Sequence, residues 1–105
     1  MLTHEAFSAA LNTKFLVEVA ENQNVELRLE DVSELKVYPR QEMFSLVFRG
    51  PNEAFLGQGT RRMQHETIGS LQLFLVPIGQ EPEGYRYEAV FNVFRKVDEQ
   101  SGRQS

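Results

Sequence analysis

The chain contains no cysteine and no tryptophan, and it has only two histidines in 105 residues. The absence of cysteine excludes disulfide frameworks, zinc–thiolate sites and thiol nucleophiles. No apolar run approaches the roughly 20 residues of a transmembrane helix, so we expect no contact with a membrane. No basic leader followed by a long apolar segment stands after Met1. Synthesis and folding in the cytoplasm are therefore the expectation.

Positive charge is also scarce, because eleven Lys and Arg residues stand against fifteen Asp and Glu residues, for a net charge of -4. A surface of this sign repels nucleic acid, which is bound mainly through cationic neutralisation of phosphates. We therefore expect no nucleic-acid partner. The length is typical of one domain with a single core. We predict a β-rich domain over residues 1–94 and a flexible tail over residues 95–105, where apolar residues are few.

Motifs that carry chemistry are missing as well. The glycine pair Gly57-Gln58-Gly59 is followed by a strand pattern and lacks the Gly-Lys-Ser/Thr ending of a phosphate-binding loop. No Gly-x-Ser-x-Gly nucleophile motif is present. His4 and His65 each precede a glutamate, but neighbouring strand residues point to opposite faces and so do not converge on one metal ion. We predict surface histidines, no metal, no cofactor and no enzymatic activity.

The sequence does contain regular alternation of apolar and polar residues, which indicates strands with one buried face. Turn residues, chiefly Asn, Gly and Pro, separate the alternating segments. Thr3 is a suitable N-cap for a short helix over residues 4–11, with Phe7 and Leu11 facing the core. The pattern predicts a mainly β fold, a six-stranded antiparallel barrel-like roll with one short N-terminal helix, and a two-layer β-sandwich is the alternative. The predicted strands cover residues 13–20, 25–30, 43–49, 59–65, 71–79 and 85–94.

Two of these strands have distinctive compositions. Residues 71–79 form the longest apolar run, apolar on both faces from Phe74 onward, which predicts a strand that enters the middle of the structure and bulges or ends at Pro77. Residues 60–65 are polar on both faces except at Met63, which predicts an edge strand protected by its charges. The loop before that strand carries two apolar residues, Phe55 and Leu56, which we expect to be tucked under the sheet.

These features favour an interaction domain that binds another protein through the predicted edge strand and the loop before it. The predicted partner-binding residues are Phe55, Leu56, Arg61, Arg62 and His65. A cluster of Arg61 and Arg62 with Arg49 and Arg86 would alternatively bind an anion. A homo-oligomer formed through an edge strand is also consistent with the pattern.

Two other functions remain open from the residues alone. A small-molecule binder would have a cavity inside the barrel or beneath the helix, and the predicted lining residues are Phe7, Phe48, Phe74 and Phe91. An enzyme would need a site assembled only in three dimensions, with His65 brought close to Glu66, Arg62 or another charged group.

Several blocks of the sequence resemble the signature of a family of small bacterial proteins classed as a domain of unknown function. The blocks are residues 44–51, 58–60, 73–79 and 87–92, and the resemblance extends from the N-terminal helix to Asn92. One departure is Gly57, where the family pattern has proline. The resemblance implies a role beside a tail-fibre-like or surface assembly, with a phage-tail-collar-like protein as the partner.

Overall fold

The computed structural model describes residues 2–94 as one helix and seven strands, and the predicted tail, residues 95–105, lies outside the described residues. The elements are α1 (His4–Ala9), β1 (Lys14–Ala20), β2 (Gln23–Val32), β3 (Lys36–Tyr38), β4 (Gln41–Gly50), β5 (Gly59–His65), β6 (Gly69–Glu81) and β7 (Gly84–Phe94).

Six of the strands close into an antiparallel barrel, which confirms the predicted barrel over the sandwich. The order around the barrel is β1, β2, β4, β7, β6, β5 and back to β1. Closure depends on β2, whose first half pairs with β1 and whose second half pairs with β4, with a bulge between Leu29 and Asp31. The short strand β3, absent from the six predicted strands, pairs with β4 outside the barrel.

Two groups of connections define the ends of the barrel. The upper end carries α1 and the turn between β5 and β6. The lower end carries the β1–β2 turn, the connection from β4 to β5 and the β6–β7 turn. Asn22 in the β1–β2 turn has a φ of 62°, the left-handed conformation that asparagine tolerates and tight hairpins require.

The helix closes the upper end and is shorter than predicted. The Thr3 hydroxyl accepts a hydrogen bond from Ala6 N–H at 3.0 Å, as expected of an N-cap. The chain leaves the helix after Ala9 because Asn12 adopts a left-handed φ of 67°. Leu11 is therefore exposed rather than docked, whereas Phe7 is fully buried as predicted. Within residues 2–94, no helix is both long and apolar enough to cross a membrane.

Aromatic rings fill the upper half of the interior. Phe7 meets Phe91 with ring centroids 5.2 Å apart, and Phe15 meets Phe48 at the same distance. Phe7 and Phe48, two of the predicted lining residues, are fully buried in this packed core. Phe74 points outward and is 51% exposed.

The placements predicted for β5 and β6 are wrong for a common reason. A barrel has a single wall, so each strand has one face toward the core and one toward solvent. On β6, Leu71, Leu73 and Leu75 point inward while Phe74 and Ile78 face solvent. The predicted irregularity at Pro77 is confirmed by a register shift between Pro77 and Gly79.

Strand β5 is an edge strand only over residues 59–62, which pair with β6 and not with β1. It pairs with β6 along its whole length and with β1 at two positions, Leu16 with Gln64 and Val17 with Met63. Its inward positions are Arg61, Met63 and His65, and only the first of these is partly accessible. The polar residues that indicated an edge strand include Arg61, which points inward at the lower end of the barrel, and His65, which is buried at the upper end.

Candidate partner-binding site

The connection from β4 to β5, residues 51–58, crosses the lower end of the barrel and is here called the mouth loop. Leu56 seals the end of the core from within this loop and is 4% exposed. Its N–H donates a buried hydrogen bond of 2.9 Å to the Tyr87 hydroxyl oxygen on β7. Leu56, predicted as a partner-binding residue, thus anchors the loop and offers no surface of its own.

Phe55 is the exposed aromatic residue of the mouth loop. It is 56% exposed, so the expectation that it lies under the sheet is wrong. Its ring meets Tyr85 edge to face, with centroids 5.0 Å apart. Such a pair is worth about 0.5–1.5 kcal/mol beyond the area it buries. Phe55 is therefore presented to solvent in one orientation, supported from one side by a strand residue.

A second anchor holds the beginning of the mouth loop. The Asn52 side-chain amide donates to the backbone oxygens of Glu81 and Pro82 at 3.3 and 3.1 Å, and its oxygen accepts from the Gln80 side chain at 3.0 Å. These bonds tie the loop to the β6–β7 turn. Loops positioned in this way by a rigid scaffold commonly carry binding residues.

Arg61 holds the end of the mouth loop from inside the barrel. Its guanidinium Nη2 donates to the Gly57 carbonyl at 2.6 Å. Its Nε atom is buried and has no hydrogen-bond partner among the described residues. Arg62, the next residue, points outward and lies 3.7 Å from the Glu18 carboxylate. The two predicted arginines therefore lie on opposite faces of β5 at the same end.

The Tyr87 hydroxyl is shielded from solvent because it lies beneath the mouth loop. Burial raises its pKa above the ordinary value of 10.0, while the Leu56 N–H bond and the charge of Arg61 act in the opposite direction. The phenol is fully buried and remains neutral at physiological pH. It serves as a hydrogen-bond acceptor for the mouth loop.

His65 lies at the other end of the barrel, away from the residues with which it was grouped. It follows Arg61 by four residues, about 13 Å along a strand. Its Nδ1 accepts the N–H groups of Thr67 and Ile68 at 3.1 Å each, and its Nε2 lies 2.8 Å from the Thr13 hydroxyl. Because Nδ1 accepts, the proton of the neutral ring is on Nε2 and is donated to Thr13.

These contacts assign His65 a structural role. It is 8% exposed, so the prediction of a surface histidine is wrong. Its ring also packs against Phe15 with centroids 4.4 Å apart. No carboxylate or arginine side chain hydrogen-bonds to it among the described residues.

Arg49 and Arg86 do not join the other arginines in an anion site. Arg49 donates to Glu30 at 2.9 Å and to Glu81 at 2.8 Å, and Arg86 lies 3.9 Å from each of these carboxylates. The hydrogen bonds that Arg49 donates to the Glu30 and Glu81 carboxylates raise the pKa of Arg49. The four side chains neutralise one another, so the anion-binding hypothesis is wrong for this pair.

The sequence did not reveal which residues hold the mouth loop in place. Tyr85 and Tyr87 are two positions apart on β7, but only the fold shows that Tyr85 braces Phe55 and that the Tyr87 hydroxyl accepts a hydrogen bond from Leu56 N–H. Asn52 carried a turn signal and no sign of its bonds to the β6–β7 turn. Among residues 2–94, no three His, Asp or Glu side chains are placed to hold a metal ion.

Comparison with known proteins identifies a family and nothing more specific. No curated protein and no solved structure matches the chain. One family model matches residues 2–91, which include the helix, the barrel strands and the mouth loop. The chain therefore belongs to the family described as Domain of unknown function (DUF6916).

Proposed function

We propose that this chain is a non-enzymatic interaction domain that binds a partner protein through the lower end of its barrel. The contact surface comprises Phe55, its brace Tyr85 and Arg62, which points outward from β5 at the same end of the barrel. The proposal rests chiefly on one observation, the exposure of Phe55 on a loop fixed at both ends. Aromatic residues and arginine are enriched in protein interfaces, and the residues that contribute most binding energy are drawn from them.

Rigidity of the mouth loop supports a role in binding. A loop that is already ordered loses little conformational entropy when it binds. Asn52, Leu56 and Arg61 each use a hydrogen bond to hold it, although none of these bonds is needed to close the barrel. The contact with Tyr85 holds the exposed Phe55 ring in place.

The partner class follows from the family resemblance. A phage-tail-collar-like protein is the proposed partner, and the chain would act as an accessory during its assembly in the cytoplasm. The chemistry required of that partner is an apolar pocket large enough for a phenyl ring.

A photo-crosslinking amino acid at position 55 tests this proposal. Benzoylphenylalanine replaces Phe55 in cells that express the chain natively, and a matched variant carries it at Phe74, which is exposed to a similar degree on the barrel wall. We expect one protein product with the probe at position 55 and none with it at position 74. Identical products at both positions, or none at either, would contradict the proposal.

The captured protein then provides a quantitative check. Phe55→Ala should weaken its affinity at least about 30-fold, as expected of an interface residue worth about 2 kcal/mol. Phe74→Ala should leave the affinity unchanged. Because Phe55 is exposed, its replacement should lower the free energy of unfolding by no more than about 1.5 kcal/mol. An unchanged affinity in the folded Phe55→Ala variant would refute the assignment.

A further inference from the structure

A half-open cleft lies at the upper end of the barrel, between α1, the start of β1 and the β5–β6 turn. It consists of two adjoining chambers of about 260 and 420 Å³, and both are lined by Thr13, His65 and Thr67. The two chambers are here called the upper cleft. Pockets that bind small molecules have volumes of about 300–1,000 Å³, so the upper cleft is of the size that a small metabolite requires.

The smaller chamber is largely apolar. Its apolar lining residues are Ala6, Ala9, Ala10 and Ile68. The three alanines lie at positions i, i+3 and i+4, and so they share one face of α1 and its C-cap. An alanine side chain ends at Cβ, and this face therefore leaves open the space that a larger side chain would fill. The chamber can accept an aliphatic group of a ligand, whose removal from water favours binding.

The larger chamber carries two opposite charges. Lys14 begins β1 and Glu66 begins the β5–β6 turn, and both residues line the chamber. Among residues 2–94, neither of these side chains forms an ion pair or a hydrogen bond. The Lys14 ammonium and the Glu66 carboxylate therefore remain available to a ligand that carries both an anionic and a cationic group.

Two hydroxyl groups stand where the chambers meet. The Thr13 hydroxyl donates to the Ala10 carbonyl at 2.5 Å and accepts the Nε2–H of His65 at 2.8 Å. A hydroxyl oxygen has two lone pairs, so one acceptor position on Thr13 is free. The Thr67 hydroxyl forms no hydrogen bond with a residue of the described range and can donate one. The junction therefore offers one acceptor and one donor to a ligand.

We infer that the upper cleft binds a free α-amino acid with an aliphatic side chain of about the size of leucine. The side chain occupies the apolar chamber. Lys14 and the Thr67 hydroxyl bind the carboxylate, while Glu66 and the free lone pair of Thr13 bind the ammonium group. Hydrogen bonds between charged groups are roughly twice as strong as neutral ones, so these contacts select a ligand that carries both charges.

Ligands of other chemical classes fit the upper cleft less well. A fatty acid would place its carboxylate in the same chamber as Glu66, and an alkyl amine would place its ammonium group beside Lys14, so like charges would repel. A neutral apolar molecule would remove water from both charges without replacing it. The aliphatic α-amino acid satisfies the two charges and fills the apolar chamber at once.

Isothermal titration calorimetry of the wild-type chain with L-leucine and three analogues tests the inference. We expect leucine to bind with a dissociation constant below about 1 mM. N-acetyl-leucine, 3-methylbutylamine and glycine lack the ammonium group, the carboxylate and the aliphatic group, respectively. Each should bind at least about tenfold more weakly than leucine. Absence of leucine binding, or an analogue that binds as tightly as leucine, would overturn the inference.

Substitutions then locate the site. Ala9→Phe fills the apolar chamber and should abolish leucine binding, whereas Ser8→Phe, at an exposed helix position that lines neither chamber, should not. Glu66→Gln should raise the dissociation constant about tenfold, and Glu53→Gln, at an exposed position of the mouth loop, should leave it unchanged. Thermal unfolding confirms that each variant is folded. Unchanged leucine affinity in folded Ala9→Phe or Glu66→Gln would overturn the assignment.

The upper cleft and the proposed partner-binding surface lie at opposite ends of the barrel, so their tests are independent. Phe55→Ala should leave the affinity for leucine unchanged. A loss of leucine binding in that variant would contradict the location of the site in the upper cleft.

Discussion

Replacing Tyr87 with phenylalanine tests whether the mouth loop is held as described. The substitution removes one oxygen and keeps the ring that fills the core. The Leu56 N–H, which donates to that oxygen at 2.9 Å, is buried and loses its acceptor. An unsatisfied buried donor costs about 1–3 kcal/mol, so we expect a loss of that size in the free energy of unfolding.

Equilibrium urea unfolding measures this loss. With a slope of about 1.5 kcal/mol/M for a chain of this size, the midpoint should fall by about 0.7–2 M with no change in slope. Tyr85→Phe is the matched control, because no described residue hydrogen-bonds to the Tyr85 hydroxyl. Its midpoint should stay close to that of the wild type. If both variants shifted equally, the Leu56 bond would not be what holds the loop.

The same pair of variants predicts a dependence on pH. The Tyr87 pKa is raised in the folded state, so above pH 10 the unfolded chain loses this proton while the folded chain keeps it. Stability from this group is therefore complete below pH 10 and declines as the pH rises through the folded pKa. Tyr87→Phe should lack this part of the alkaline decline, and Tyr85→Phe should retain it. Urea midpoints between pH 7 and about 11 provide the comparison.

Two further substitutions test other contacts. Gly84→Ala should lower the free energy of unfolding by at least about 3 kcal/mol, because a Cβ there would clash with the Gly50 carbonyl oxygen and φ is +141°. Gly79→Ala, with open space at that position, should change the free energy of unfolding by no more than about 1 kcal/mol, as measured by thermal unfolding. His65→Ala should lower the free energy of unfolding by about 2–4 kcal/mol, because the N–H groups of Thr67 and Ile68 lose their acceptor. His4→Ala removes one hydrogen bond, to the Ser33 carbonyl, and should lower the free energy of unfolding by about half as much. Equal losses for the two histidine variants would contradict the structural role of His65.

Alternation predicted most of the strands because it reports directly which face is buried. Leu27 and Leu29 on β2, and Tyr87 and Ala89 on β7, are buried as their spacing indicates. The alternation of apolar and polar residues does not show which strands lie next to each other in the sheet. That β2 pairs with both β1 and β4 depends on the bulge beside Leu29; the alternation becomes irregular from Asp31, which is consistent with a bulge, but it does not show the change of partner strand.

The misplaced residues share a physical cause. Phe74 and Ile78 were assigned to the core because they are apolar, but a barrel wall exposes one face whatever its composition. His65 was assigned to the surface because it is polar, but partners from three other residues satisfy both ring nitrogens in the interior. In each case the decisive contacts come from segments distant in sequence or from the curvature of the sheet.

The candidate site shows the same limit. The sequence singled out Phe55 and Arg61 correctly as members of one region, because they lie close together in the chain. It grouped His65 with them because that residue is also near in the sequence, but β5 places His65 at the opposite end of the barrel. The two residues that anchor the loop, Asn52 and Tyr87, are 35 positions apart in the sequence. The bonds from Asn52 to the β6–β7 turn and from Leu56 to Tyr87 form only after β6 and β7 have paired as a hairpin.

The closure between β1 and β5 has a consequence for how the barrel moves. With only two registered residue pairs, this is the thinnest ladder around the barrel, and the His65 bond to Thr13 extends it by a single side-chain contact. The helix and the β1–β2 hairpin are joined to the remaining strands by this ladder and by the β2–β4 pairs. Breaking of the β1–β5 ladder would release the hairpin as one flap hinged along β2. The backbone amide protons that hydrogen-bond across this ladder should therefore exchange with solvent earlier than those of β4 and β7, because local opening costs less there than global unfolding.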